Sequence, residues 1–270
     1  MRVDRGAVRD ALRESLRGVS GNVAVSTSGG IDSSSLVLSL LDLGVRPTVI
    51  SFTLEGRTSS DFLAARRLAK HFGLDFVSVL LPIDESTVKK QIEDVVRFGA
   101  SKKTSIECLV PFLSVLESLN ERNIETLVVG SAADGHFGLS KRAMIHYRDT
   151  LEKFQEFRND YFSKSDPAQT KTLKAIGAEY GVEVHAPYVS EQIFRLFANS
   201  TWEELNTPRQ KEAIRQDFPE LDALKIKRHT NLQLGDSGIA ELIGRVAIKY
   251  YAPKAKSPVS AYNALRRSLV

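Results

Sequence analysis

The chain has 270 residues, with 42% hydrophobic and 26% charged side chains, a net charge of +4 and a pI of about 9.1. These proportions exclude a disordered or low-complexity chain, and no apolar run is long enough to span a bilayer. A single cysteine, Cys108, excludes an internal disulfide framework and a thiolate zinc site; its apolar neighbours predict a packed core residue rather than a nucleophile.

Residues 8–16 space their apolar side chains as a short amphipathic helix. Residues 22–26 read as a buried strand, with the branched bulk of Val23 and Val25. After a glycine turn, a helix over about 33–43 carries Leu36, Val37, Leu40 and Leu41 on its apolar side and stops at Gly44. A strand over 47–53, a helix over 60–72 followed by Gly73, and a strand over 76–81 continue the alternation. Residues 88–96 and 109–119 are helical in period, and 126–130 is another buried strand. This repetition predicts a parallel sheet covered by helices on both faces.

Beyond about residue 140 the pattern changes. Residues 142–162, 193–197 and 202–214 look helical, and 182–188 reads as a strand or an extended loop. The expected division is an α/β core over 1–145 and a mainly helical part over 146–270 that completes the active site. Lys225, Lys227, Arg228, Arg245, Lys249, Lys254, Lys256, Arg266 and Arg267 crowd the end, where Asp236 and Glu241 are the only acids. Such a run is either a solvated helical surface or a surface for phosphate or nucleic acid. Met1-Arg2-Val3-Asp4-Arg5 lacks the apolar run of a signal peptide, so a cytoplasmic protein without membrane partners is expected.

The first strand ends in Ser26-Thr27-Ser28-Gly29-Gly30-Ile31-Asp32-Ser33-Ser34. Two glycines permit a tight turn and close approach of a ligand to bare backbone. A strand, a glycine turn and the unsatisfied amides of a helix start make an anion site, to which the hydroxyls of Ser28, Ser33 and Ser34 add donors. Asp32 sharpens the reading. A carboxylate beside a polyphosphate is repulsive unless a cation lies between them, so magnesium is implied together with a nucleotide. The turn has no Walker A lysine and lacks the three spaced glycines of a dinucleotide fingerprint. The strand at 126–130 ends at Gly130, which puts Asp134 at the carboxyl edge of the sheet, where open α/β sheets bind ligands. The five histidines show no metal-ligand spacing.

Val23 to Ser34 resembles the PP-loop of the ATP pyrophosphatases, and is most similar to the synthetase domain of asparagine synthetases and β-lactam synthetases. Ser51-Phe52-Thr53, Ser60 to Gly73, Gly130-Ser-Ala-Ala-Asp134-Gly-His-Phe-Gly138, Val184-His-Ala-Pro187-Tyr188 and Lys211-Glu-Ala-Ile-Arg215 continue the resemblance in the same order over roughly residues 20 to 240. It implies an adenine nucleotide α-hydrolase-like, Rossmann-like sheet that adenylates a substrate oxygen, usually of a carboxylate, with release of pyrophosphate before amine or ammonia attack forms an amide. By that resemblance Ser26, Ser28, Gly29, Gly30, Ser33, Ser34 and Gly130 surround the ATP phosphates. Asp32 and Asp134 share magnesium, Ser51 and Thr53 lie by the adenosine, and Lys227, with Lys225 as competitor, stabilises charge at the α-phosphate.

Two departures stand out. Ser131 occupies the place of a glutamate of the asparagine synthetases, and Gly135 the place of a second acid. The resemblance covers no glutaminase domain ahead of the core, and residue 2 is arginine, so ammonia from glutamine is expected from a separate protein, with an amine substrate equally open. A PP-loop enzyme modifying a nucleobase in tRNA or DNA, docked through the basic C-terminal region, and a nucleotide-binding module without catalysis are the alternatives. Self-association is a further expectation.

Overall fold

In the computed structural model, residues 4–164, 166–224, 226, 235–255 and 257–269 are described. Five strands, β1 (Val23–Ser26), β2 (Thr48–Leu54), β3 (Phe76–Leu81), β4 (Thr126–Val129) and β5 (Glu183–His185), form one parallel sheet in the order β3-β2-β1-β4-β5. The helices before β4 are α1 (Ala7–Ser15), α2 (Ile31–Asp42), α3 (Ser60–Phe72), α4 (Glu85–Arg97) and α5 (Lys103–Glu121). After β4 come α6 (Ala133–Phe137), α7 (Lys141–His146), α8 (Leu151–Phe162), α9 (Thr170–Glu179), α10 (Glu191–Phe197), α11 (Trp202–Asn206), α12 (Glu212–Asp217), α13 (Ile239–Tyr251) and α14 (Pro258–Leu269).

Alternation along the strands sends side chains to two cores. Val23, Val25, Val49 and Val128 pack with Leu36, Val37 and Leu40 of α2 and Leu68 of α3. Ala24, Ile50, Leu127 and Val129 pack with α4, α5, α9 and α13 on the other face. Both sheet faces are thus dry, as a parallel sheet requires. Both cores draw on residues beyond 145, and β5 extends the sheet from there.

The chain runs outward from β1 to β2 to β3 and then returns to lay β4 on the other side of β1. The order therefore reverses between β1 and β4, and the loops leaving these two strands diverge over a crevice. Asp32 follows β1 and Asp134 follows β4.

Two regions expected as single helices are broken. Residues 202–214 divide into α11 and α12 because Pro208 offers no N–H and drives Thr207 to an extended conformation (φ −121°, ψ 133°). Residues 142–162 divide into α7 and α8, the second begun by Thr150, whose hydroxyl accepts from the Lys153 amide. The glycine-turn helix starts at Ile31, so Asp32 and Ser33 lie in its first turn.

The N-terminal helix is held from a distance. Gly6 supplies no side-chain cap to α1, and the buried carboxylate of Asp217, at the end of α12, accepts from the amides of Gly6 (2.6 Å), Val8 (2.8 Å) and Arg9 (3.4 Å). Asp217→Ala leaves these donors without that acceptor. The expected loss is about 2 kcal/mol, seen in thermal unfolding as a fall in Tm of roughly 4–8 °C.

Candidate active site

A cleft of ≈ 920 Å³ opens at the carboxyl ends of the strands. Its floor is the turn from Ser26 to Ser33, and its walls carry Ser51 of β2, Ala64 and Leu68 of α3, Cys108 and Phe112 of α5, Gly130 and Asp134. The turn is pinned from within: Thr27 Oγ1 accepts from the Gly29 amide (2.9 Å) and shares a hydrogen bond with Ser33 Oγ (2.6 Å). Gly30 ends the turn as N-cap of α2 and offers no side chain, which leaves the first-turn amides of α2 uncapped at the cleft.

Glycine is demanded at position 29. Its φ is +69°, and a Cβ there would lie 2.5 Å from Ala64 Cβ and 2.6 Å from the Ala64 carbonyl carbon. The turn can lie against α3 only without a side chain. Gly130 brings β4 against α2 in the same way, since a Cβ would stand 3.3 Å from the Ser33 amide.

Asp32 and Asp134 converge. Their carboxylates meet on the ammonium of Lys211, bonded to Asp32 Oδ2 and, at 2.6 Å, to Asp134 Oδ1. The Lys211 side chain is 1% exposed, against 17% for Asp32 and 41% for Asp134. Burial alone would lower the Lys211 ammonium, but the two carboxylates outweigh it and hold it above the ordinary lysine range. Lys211 precedes α12 in a left-handed conformation (φ 58°, ψ 37°), uncommon for a side-chain-bearing residue. Its amide donates to Asn206 Oδ1 (3.1 Å), while the Asn206 amide group donates to the Phe137 carbonyl (3.0 Å). Asn206 therefore ties the Lys211 loop to α6, which carries Asp134. Arg209 and Arg215 border the cleft on the same side; Arg209 pairs with Glu212 (3.0 Å) and Asp222 (3.1 Å).

Of the residues singled out from sequence, Ser26, Ser28, Gly29, Gly30, Asp32, Ser33, Ser51, Gly130 and Asp134 line this one cleft. Ser34 and Thr53 do not. Ser34 is fully buried in α2. Thr53 lies two residues past Ser51 on β2, donates its hydroxyl to the Arg57 carbonyl and borders a separate shallow groove. Lys227 and Lys225 lie outside the described residues. Cys108, expected in the core, is only partly covered and lies in the cleft wall. Lys211, Asn206, Arg209 and Arg215 had no part in the sequence-based site.

The two departures have structural settings. Ser131 lines the cleft. At Gly135 a Cβ would stand 2.4 Å from the Tyr161 ring, so Tyr161 of α8 fills the space of an acid there. Desolvation, with Asp134 nearby, raises the Tyr161 phenol to about 12.

Among the described residues no three His, Cys, Asp or Glu side chains cluster as a metal site. Two converging carboxylates still suit magnesium, which takes one or two of them and completes its shell with phosphate and water. The donor set therefore fits a metal–nucleotide complex.

Residues 5–234 match the asparagine synthase family, and the chain belongs to that family, within the PP-loop superfamily. Its fold is the Rossmann-like adenine nucleotide α-hydrolase fold. Similar solved structures include the U34-tRNA thiolase NcsA from Methanococcus maripaludis with its 4Fe-4S cluster (15% identity, TM-score 0.44, covering 97% of this chain and 78% of that one). Another is a predicted subunit of tRNA methyltransferase from Methanocaldococcus jannaschii (18% identity, TM-score 0.34, covering 74% of this chain and 86% of that one). No curated protein matches the sequence. No helix among the described residues is long and apolar enough to cross a membrane.

His136, on α6 with Asp134, is fully buried and stacked on Phe162, with its Nε2–H donating to the Tyr188 carbonyl (2.7 Å). Burial pushes its pKa from 6.5 down to about 3. An unfolded chain takes up the proton below about 6.5 while the folded one refuses it, so this group removes stability as pH falls from there toward 3. Thermal unfolding between pH 7.5 and 4.5 should show a steeper acid-side fall for the parent chain than for His136→Gln, by up to about 1.4 kcal/mol per pH unit. Parallel profiles would remove His136 as the source.

Proposed function

We propose that this chain is an ATP-dependent, AMP-forming ligase that adenylates a substrate carboxylate and passes the acyl group to an amine or ammonia. The observation that carries the reading is the meeting of Asp32 and Asp134 at the strand-order reversal, beside a glycine turn with uncapped helix amides. Membership of the asparagine synthase family, whose members use ATP, supports it.

The turn amides and the hydroxyls of Ser28 and Ser33 hold the β- and γ-phosphates as hydrogen-bond donors. Ser26, Ser51 and the apolar side chains of α3 receive the nucleoside. Asp32 and Asp134 hold magnesium, which when bound neutralises phosphate charge and aids departure of pyrophosphate. Lys211, Arg209 and Arg215 border the phosphate path as cations, contributed from beyond residue 146. A carboxylate oxygen of the substrate forms the bond to the α-phosphorus as the bond to the pyrophosphate oxygen breaks. The amine nitrogen then bonds the acyl carbon, loses a proton, and AMP leaves with its oxygen. The residues' part is positioning and charge stabilisation, where such transfers gain most of their rate.

Asp32→Asn is expected to lower magnesium-dependent release of pyrophosphate from ATP by about a hundredfold or more, with an unchanged circular dichroism spectrum. Release at the parent rate would defeat the assignment. Screening pooled carboxylates, amines, RNA and DNA for stimulated AMP formation identifies the acceptor; stimulation by nucleic acid alone would replace the amide-forming reading with base modification.

A further inference from the structure

The Lys211 ammonium stands between the two carboxylates that would hold the divalent ion. Nζ of Lys211 is bonded to Asp32 Oδ2 and Asp134 Oδ1, the oxygens that would face a shared ion. Magnesium sits about 2.1 Å from carboxylate oxygens. An ion bridging these two carboxylates would overlap the ammonium and repel it, so both cations cannot stand there together.

We propose that Lys211 is an internal counter-ion that occupies the metal position in the absence of nucleotide and yields it when metal and ATP enter together. The inference rests on Asp32 and Asp134 being metal ligands. No covalent step is involved; one cation is exchanged for another. The ammonium moves from the carboxylates to the phosphate oxygens, and the divalent ion takes its place.

Three features support the exchange. First, the Lys211 side chain is 1% exposed, so its charge is not one of the solvated surface lysines. Its partners hold two negative charges close together, an arrangement that a cation or the protonation of one acid must offset. Second, the residue is anchored by its backbone. The hydrogen bond from its amide to Asn206, the left-handed conformation and the neighbouring pairing of Arg209 with Glu212 and Asp222 fix the loop without using the ammonium. The long side chain can therefore change partners while its loop stays in place. Third, the ammonium borders the same cleft as the glycine turn, so the phosphates arrive within the reach of the side chain. Nucleotide brings the negative charge that Lys211 loses on leaving the carboxylates, and metal brings the positive charge that the carboxylates lose. Each ligand thus removes the cost of admitting the other, which makes their binding mutually favourable.

Manganese(II) binding to the full chain, followed by electron paramagnetic resonance with and without a non-hydrolysable ATP analogue, tests this. The parent chain should bind manganese weakly alone and about tenfold or more tighter with the analogue. Lys211→Met should bind manganese alone about tenfold or more tighter than the parent, with reduced coupling to nucleotide. Lys211→Gln, which keeps an N–H donor toward the carboxylates, should do the same and guards against misfolding of the first variant. If both variants fold and bind manganese alone no tighter than the parent, while all three bind it with nucleotide, the counter-ion role is overturned and the metal site stands. If no form binds manganese even with nucleotide, the metal reading itself fails. If neither variant folds, the parent decides: a rise in Tm with manganese alone equal to that with manganese plus analogue overturns the exchange, and a rise only with both supports it.

Discussion

Two carboxylates brought together at the mouth of a parallel sheet repel each other unless a cation lies between them, and the rest of the site is arranged around that requirement. The strand order places the loop after β1 beside the loop after β4, so Asp32 and Asp134 face one crevice. The glycines that allow this are constrained on both sides: position 29 lies against α3, and position 130 lies against the start of α2. The lysine that meets both acids comes from a loop whose path is set by Pro208 and Asn206. Sheet topology, close backbone approach and charge balance thus act at one point, and a polyphosphate with its divalent ion satisfies the same balance by other means.

Local signals carried most of the fold. The branched strands, the stops at Gly44 and Gly73 and the strand-helix repetition are properties of short windows, and a parallel sheet with its first four strands follows from them, while β5 reads as a strand or an extended loop. Asp32 was legible because two adjacent glycines precede it and a helix starts at that point, and Asp134 because a buried strand ends at Gly130. Lys211 was not. Its role depends on a break in what reads as one helix, a left-handed residue and a partner 179 positions away, none of which has a short-range signature. The same limit explains Thr53, whose two-residue step beyond Ser51 takes it past the cleft, and Cys108, whose apolar neighbours conceal its place in the cleft wall.

The residues after 145 do more than cover the sheet. They add β5, Arg209 and Arg215 of the cleft wall, Lys211, and Asp217, which reaches back to hold α1. Tyr188 lies fully buried with its hydroxyl 2.8 Å from Ser35 Oγ, which itself donates to the Asp32 carbonyl (2.8 Å). The first turn of α2 is thereby supported from below by a side chain 153 positions later. The late part of the sequence thus supports the helix turn that carries Asp32.

The contact between Gly135 and Tyr161 links the histories of two positions. A side chain added at 135 would enter the space of the phenol ring, so an acid there requires the Tyr161 ring to shift. A smaller residue at 161 also makes that room, and by itself it opens a void beside Asp134. A side chain at 135 and the ring at 161 therefore compete for one volume, and this pair of sites is expected to vary together among relatives.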